Sequence, residues 1–565
     1  MTNRILIISF LLISVILPAT AQGKKESDLK REVTLYNPYK PSLPESKKKS
    51  YLPDMSDTLK VKPDFRYEVN ADPFLPKYTI SPIKAASLEP DPLPKLYKSY
   101  VNLGMGNYIT PLAEISITNE RSKKGSIGFY GRHLSSNGKV ELQNGEKVFA
   151  GYMDNDVSLF GRKAFKKNLF EASLDLAQKT RYAYGYDTSN HGYIAEKKDI
   201  RMPYYNAGWK GSLSSLKLDS SDLSYDFDLS YDFFYNDKNL YQHAFGFEGL
   251  MAKTYKGFYA GSGIGFNLYE DAPNIRYQGK YVASVNPFIE KRSQQWNFRL
   301  GFQALLDRNL FPDAEFHLYP DLKFGFSVVP SYINFFAGLS GRLEENTPLK
   351  AINENPFIRP FGTLFALPNT DHELVVSTGL KGNNGIGGQY LVSASYSLIS
   401  DMIFYSNVSF PGNLSDPDLG NHFFPVTDDV ELLAIRGEMS SRLSDKLTFE
   451  GEAGFYKYTL AANDFAWNKP SWNSRAGLKY NLRDKIIAGM EISAEGKRRL
   501  LVIGIPGQVF VSSPYMNINL SAEYRYSKIL SFWTKFNNIA FTRYYEWAYY
   551  PSQRFLCMVG FTYSL

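Results

Sequence analysis

Histidine is the side chain best suited to hold a catalytic metal or transfer a proton at neutral pH. The sequence contains six, at His133, His191, His243, His317, His372 and His422. They are dispersed, with no H-E-x-x-H or H-x-H pattern, and the chain has no G-x-S-x-G elbow and no Walker loop. The sequence therefore predicts a protein that is not an enzyme, with no catalytic residue, no bound metal and no cofactor.

Oxygen-bearing side chains are concentrated in the stretch SDPDLGNHFFPVTDD. Those that could bind calcium are Asp416, Asp418, Asn421, Asp428 and Asp429. A solvated loop between strands is the simpler interpretation of the same composition. The expectation is a polar loop without an ion.

Residues 1–21 have the features of a secretory signal. Arg4 precedes an apolar run from Ile5 to Leu17, and small residues follow, which predicts cleavage between Ala21 and Gln22. The apolar run is too short to span a bilayer as a helix. We therefore expect an exported protein.

The bulk composition excludes some classes of function. Aromatic residues make up 15% of the chain while the mean hydropathy is −0.31, as expected for a protein that faces lipid on one side and water on the other. The net charge of +7 is not gathered into a basic stretch with interleaved aromatics, so no nucleic-acid partner is predicted. Cys557 is the single cysteine, and an internal disulfide is therefore impossible.

Two regions follow the signal. Residues 22–97 contain 11 prolines and one glycine, a composition that favours extended conformations, and we predict an extended periplasmic or lumenal arm. From residue 98 the pattern changes to alternation, for example in LTFEGEAGFY, IIAGMEISAE and MNINLSAEYR. Apolar and polar residues that alternate over about ten positions are typical of transmembrane β-strands, so residues 98–565 are predicted to form an outer-membrane β-barrel. A soluble β-sandwich, the alternative, would also alternate.

Short turn signals set the strand number. They occur around Asp401, Asp445, Asp484 and Lys528, at intervals of 44, 39 and 44 residues, and each interval holds one strand pair with one longer connection. A barrel region of 468 residues then accommodates about 22 strands, with 20 to 24 allowed. Four long connections are expected outside the cell: YDTSNHGYIAEKKD, GRLEENTPLKAINENPF, FPGNLSDPDLGNHFFPVTDD and EGKRRLLVIGIPGQVFVSSP.

The C-terminal stretch FNNIAFTRYYEWAYYPSQRFLCMVGFTYSL resembles the end of TonB-dependent receptors, especially those of Bacteroidota. Its last residues resemble the signal read by the barrel-assembly machinery, with Gly560, Phe561, Tyr563 and Leu565 in the matching positions. The alternation also places Cys557 on the lipid-facing side of this final strand. The resemblance implies an outer-membrane location, contact with outer-membrane lipid and a non-enzymatic role in uptake.

The N-terminal region departs from that family, whose members carry a folded plug before the barrel. Only residues 22–97 are available here, so the resemblance is to receptor-like barrels without a standard plug. Glu32, Val33, Thr34 and Leu35 form a short extended segment that could bind TonB by strand addition. Other partner outer-membrane proteins or lipoproteins are compatible with the same arm.

A barrel of about 22 strands needs something to narrow its lumen. The sequence leaves three candidates: the arm, inward-folded loops or a partner protein. The sequence is also compatible with two functions. The first is solute passage or uptake across the outer membrane, and the alternative is a barrel subunit of an outer-membrane protein assembly or export complex.

Overall fold

The computed structural model describes residues 97–119, 124–186, 196–216, 223–238, 240–272, 279–310, 313–358, 367–385, 387–408, 422–503 and 509–565. Several predicted features lie outside these residues. They are the signal with its cleavage between Ala21 and Gln22, the arm up to residue 96 including Glu32–Leu35, and the loop residues Asp416, Asp418 and Asn421.

The described chain consists of β-strands and one helix, α1 (Pro348–Glu354). The first strands are β1 (Ser99–Gly106), β2 (Thr110–Thr118), β3 (Gly125–Ser136), β4 (Lys139–Glu141), β5 (Lys147–Phe149), β6 (Tyr152–Ala164), β7 (Asn168–Tyr182), β8 (Arg201–Ser215), β9 (Ser224–Asn236), β10 (Tyr241–Tyr255), β11 (Phe258–Asp271), β12 (Lys280–Arg292), β13 (Trp296–Arg308) and β14 (Glu315–Val329). The remaining strands are β15 (Ile333–Glu344), β16 (Thr370–Asn383), β17 (Gln389–Val408), β18 (Phe423–Arg442), β19 (Leu447–Leu460), β20 (Trp472–Leu482), β21 (Ile486–Glu495), β22 (Arg498–Ile503), β23 (Val509–Ser512), β24 (Tyr515–Arg525), β25 (Leu530–Asn537), β26 (Tyr545–Trp547), β27 (Tyr550–Pro551) and β28 (Leu556–Ser564).

Twenty-two of these strands form a closed antiparallel cylinder, as predicted. Each pairs with its neighbours along the chain, and β28 pairs with β1 to close the circle. Strands β22 and β23 join the same sheet at one end, while β4 with β5 and β26 with β27 form separate hairpins within connections. The predicted strand number is confirmed.

The two faces of the cylinder differ in polarity, as the alternation predicts. On β1, Leu103 and Met105 point outward and are exposed, whereas Asn102 points inward and donates a hydrogen bond to Glu114 at 2.7 Å. Arg132 continues this inner polar row at 3.3 Å from Glu114. Exposed aliphatic and aromatic side chains cover the outside in the same way on the other strands. In the described residues, no helix is both long and apolar enough to cross a membrane.

The connections divide by length between the two ends of the cylinder. The turns near Asp445, Asp484 and Lys528 are short, as the sequence predicts, and lie at one end, here called the turn end. The described parts of the four long connections lie at the opposite end, here called the loop end. This asymmetry is typical of outer-membrane barrels.

The turn predicted at Asp401 is wrong, because Asp401 lies inside the 20-residue strand β17. Its φ angle is +55°, and the register of β17 with β18 shifts between Ile399 and Met402. Aspartate tolerates left-handed backbone better than most residues, so it marks β-bulges as well as turns. The short turn before β17 lies at residues 384–388 instead.

The seam between β1 and β28 depends on two facing glycines. Gly104 and Gly560 are opposite each other, and the indole of Trp533 lies against both of them on the inner face. The Trp533 Nε1 donates to Asn102 Oδ1 at 2.7 Å, which ties β25 to β1 across β28. At the end of the seam, Leu565 and Ser99 exchange backbone hydrogen bonds of 3.1 and 2.8 Å.

We expect Gly560→Ala to destabilise the barrel by about 1–3 kcal/mol, because the new methyl group overpacks the seam. A Cβ atom at Gly560 would lie 2.3 Å from both the Leu103 carbonyl oxygen and the Trp533 ring. Gly437→Ala is the matched control, since a Cβ atom at that strand position meets nothing within 4 Å. Denaturant unfolding in detergent, read from Trp fluorescence, measures both variants. Equal stability of the two would contradict this account of the seam.

Candidate functional site

The connection between β15 and β16 folds into the loop-end mouth and is here called the strap (described residues 345–358 and 367–369). It contains α1, which begins with the sequence Thr347-Pro348. The Thr347 hydroxyl accepts a hydrogen bond from the Lys350 backbone N–H, and proline is favoured at the first helical position. Pro348, Ala351 and Ile352 are the buried residues of this helix.

Polar contacts attach the strap to the inner wall on one side. Glu345 accepts hydrogen bonds from Asn267 Nδ2 and the Tyr269 hydroxyl, both at 2.7 Å and both on inward positions of β11. Asn369 donates to the two carboxylate oxygens of Asp307 on β13, each at 3.1 Å. The strap therefore folds inward, against side chains that point into the lumen.

Further contacts reach other parts of the cylinder. On β7, Lys179 Nζ donates to Asn353 Oδ1 at 2.8 Å. Glu354 accepts from the Tyr405 hydroxyl of β17 at 3.0 Å and from Lys469 Nζ, between β19 and β20, at 2.7 Å. Since β7 is eight strands from β15 around the 22-stranded circle, the strap bridges the mouth.

An apolar cluster joins the strap to the other loops at this end. The rings of Phe357 in the strap and Tyr550 between β25 and β28 stack with centroids 3.9 Å apart. Phe423 contacts the Trp547 ring edge-on at 5.1 Å, and the Tyr184 hydroxyl donates to the Pro551 carbonyl at 3.0 Å. Burying such side chains stabilises by about 1.5–3 kcal/mol each. The buried cluster, here called the cap, comprises Ala183, Ile200, Met202, Tyr204, Phe234, Leu240, Ala272, Ala351, Ile352, Phe357, Ile358, Leu367, Ile403, Tyr405, Phe423, Leu500, Val502, Trp547, Ala548, Tyr549 and Tyr550.

Strands β17 and β18 extend beyond the Asp401 bulge to enter the cap. The side chains of Phe404, Tyr405 and Phe423 in this extension are buried. Residues 406–408 of β17 also pair in parallel with β22, which brings the β22–β23 hairpin against the same cluster. The bulge thus separates the wall part of β17 from its cap part.

Part of the lumen stays open between the strap and the turn end. A cavity of about 800 Å³ borders the inner wall of β15–β21 in its turn-end part, and its lining includes Glu438, Glu450 and Glu452. Arg475 pairs with Glu491 on the same wall. A second cavity of about 970 Å³ lies at the turn end between β20 and β1. These polar cavities provide room for a hydrophilic solute within the barrel.

The residues considered for chemistry have structural partners. Asp428 accepts backbone hydrogen bonds from Ala462 and Asn463, and Asp429 accepts one from the Asp401 backbone N–H. His317 lies 3.0 Å from Asp371. Among the described residues, no group of three His, Cys, Asp or Glu side chains could hold a metal ion. Asp428 and Asp429 lie in β18 and not in the predicted loop, because the strand extends to Phe423. Asp428 holds the β19–β20 connection and Asp429 holds the Asp401 bulge.

The C-terminal positions lie as the alternation predicts. Phe561, Tyr563 and Leu565 are exposed on the outer face, Gly560 faces the lumen, and Cys557 shares the outer face of β28. Their role as an assembly signal stays a prediction.

Sequence reasoning missed the strap, although Thr347-Pro348 is a recognisable helix start.

No family model and no curated protein matches the sequence. Solved structures match the fold. The FrpB iron transporter from Neisseria meningitidis (F3-3 variant) superposes with a TM-score of 0.64 at 12% identity, covering 84% of this chain and 82% of that chain. The ferripyoverdine receptor of the outer membrane of Pseudomonas aeruginosa gives 0.59 at 11% identity, over 84% and 72%. The copper transporter OprC gives 0.58 at 13% identity, over 83% and 80%. The chain therefore has the barrel fold of TonB-dependent outer-membrane receptors, which confirms that part of the resemblance.

We expect the attachment of the strap to weaken as pH rises. Burial raises the pKa of Glu345 above its ordinary value, and this effect outweighs the hydrogen bonds from Tyr269 and Asn267, which lower the pKa. Because the folded pKa lies above the unfolded one, this contribution is complete below the unfolded pKa and is lost as pH rises through the folded value.

Hydrogen exchange of residues 345–358 measures this effect at a series of pH values, after correction for intrinsic exchange. Protection should fall with rising pH in the wild type and should change less in Glu345→Gln. Glu146→Gln is the control, because Glu146 lies in a different loop-end connection. A pH-independent protection of the wild-type strap would contradict the prediction.

Proposed function

We propose that this protein is an outer-membrane receptor-type transporter that takes up a solute from the loop end, with the strap and cap as its closure. One observation carries the proposal: the strap bridges the mouth of a barrel that retains polar cavities below it. A permanently open pore would not need a packed aromatic cluster across its entrance. The loop end then faces the outside of the cell.

The proposal includes three further points. The protein is not an enzyme, it belongs with the Bacteroidota receptor-like barrels, and its closure involves loops in place of a standard plug. The C-terminal resemblance and the proline content of residues 22–97 support the second and third points. The metals and siderophores of the similar structures are not carried over, since the likeness is one of fold.

Opening the cap tests the proposal. Phe357→Ala combined with Tyr550→Ala removes the stacked pair that joins the strap to the β25–β28 connection, and we expect the weakened cap to raise conductance in planar bilayers several-fold above that of the wild type. Phe541→Ala is the matched control, because Phe541 belongs to the same connection as Tyr550 but is exposed. A double variant that stays folded and closed would overturn the role of the cap.

Co-purification, together with the same conductance measurement, distinguishes the alternative function from transport. An assembly or export subunit should co-purify with stoichiometric partner proteins in gentle detergent. Its conductance should remain negligible after the cap is opened, because the partners would occupy the lumen.

Energised uptake requires contact with TonB, and we propose that Glu32–Leu35 supplies it by strand addition. Val33→Pro removes a backbone donor and should abolish binding of the periplasmic domain of TonB from the host. Val61→Pro, in the same arm, is the control and should bind normally. Equal binding by both variants would exclude this segment as the contact.

A further inference from the structure

Three lysines lie on the outer surface of the barrel at the turn end, on β10, on β12 and in the turn between β10 and β11. Lys253 and Lys291 occupy outward positions of β10 and β12, in line with the exposed Met251 and Ile289. Lys256 is in the turn between β10 and β11, with a φ angle of +50°. We name Lys253, Lys256 and Lys291 the lysine patch.

Aromatic rings hold two of these ammonium groups in place. Lys256 Nζ lies 5.2 Å from the centroid of the Tyr255 ring, and Lys291 Nζ lies 4.6 Å from that of Phe258. Tyr255 and Phe258 face each other as a cross-strand pair, so the two cations border neighbouring rings. Lys291 also lies 5.9 Å from the Trp296 ring. The ring quadrupole attracts a cation that lies over an aromatic face.

Among the described residues of β10–β13, no carboxylate on the outer face balances the patch. The outward positions of these strands nearest the turn end carry Met251, Lys253, Tyr255, Phe258, Ala260, Ile289, Lys291, Trp296 and Phe298. The nearest carboxylate, Glu290, alternates to the inner face and pairs there with Arg292. The patch is therefore a cationic site within an apolar and aromatic surface.

We infer that the lysine patch binds the phosphate group of an anionic phospholipid in the leaflet that borders the turn end. Exposed aromatic rings at the end of a transmembrane strand lie at the level of the lipid headgroups. Lysine stems cover apolar surface while the ammonium groups extend to that level. Basic residues at this depth attract anionic headgroups, with about a fivefold gain in affinity for each lysine. The acyl chains would lie along the apolar strands above the patch.

The test measures which lipid the full-length protein retains. The wild type is purified in detergent with equal amounts of phosphatidylglycerol and phosphatidylethanolamine of identical chains, and bound lipid is counted by native mass spectrometry. We expect several-fold enrichment of phosphatidylglycerol. In the triple variant Lys253→Gln, Lys256→Gln, Lys291→Gln, this enrichment should fall to about equal retention of the two lipids.

A second triple variant controls for net charge. Lys446→Gln, Lys479→Gln, Lys528→Gln removes three lysines on or near the turn end of the opposite side of the barrel, and it should keep the preference. The heat-dependent mobility of each variant in electrophoresis shows that it is folded. No enrichment by the wild type, as expected if the patch served an acidic protein instead, or an equal loss in both variants would overturn the inference. Neither outcome bears on the proposed transport function.

Discussion

The backbone hydrogen bonds that pair the first strand with the last are the constraint on which the rest of this structure depends. In lipid, every N–H and C=O group of a spanning segment must be paired within the protein, so a sheet that crosses a membrane has to close on itself. The closure here requires close approach of β1 and β28, which the facing residues Gly104 and Gly560 permit. Trp533 fills the space that their missing side chains leave and bonds to Asn102. A position that looks weak for a strand, since glycine packs poorly in a sheet, is therefore what allows the circle to close.

Closure produces a second physical problem, because a circle of 22 strands encloses a wide, water-accessible lumen. The outward Phe561 and its neighbours gain their apolar surroundings from lipid tails and contribute nothing to the mouth. The loops at the mouth are in water, so they bury their own aromatic residues against each other, as Phe357 does against Tyr550. The protein thus has two separate apolar surfaces, a continuous one for lipid around the wall and a compact one across the opening. The second is an ordinary soluble core built on a membrane barrel.

The sequence predicted the first of these surfaces well and the second poorly, for a physical reason. Alternation with period two is a local signal, and it is sufficient for the barrel and the outward face of Cys557, while the spacing of short turn signals is sufficient for the strand number. The cap is assembled from residues far apart in the chain, such as Tyr184, Phe357 and Tyr550, and no periodicity connects them. Asp401 shows the limit even of local signals, because the same polar residue with a positive φ angle suits a turn or a bulge. Only the pairing of β17 with β18 distinguishes the two.

The cap part of β17 is connected both to the wall and to the strap. Beyond the Asp401 bulge, β17 belongs to the cap, yet the same strand continues without interruption into the wall. Glu354 of the strap is held at once by Tyr405 of β17 and by Lys469 of the β19–β20 connection, so the strap cannot leave without breaking both contacts. Separation of the Phe357 ring from Tyr550 must occur in the same movement. Under the proposed transport function, opening is therefore a collective event that exposes several aromatic side chains to water. A solute or a partner would favour the open state only as far as it binds that state more tightly than the closed one.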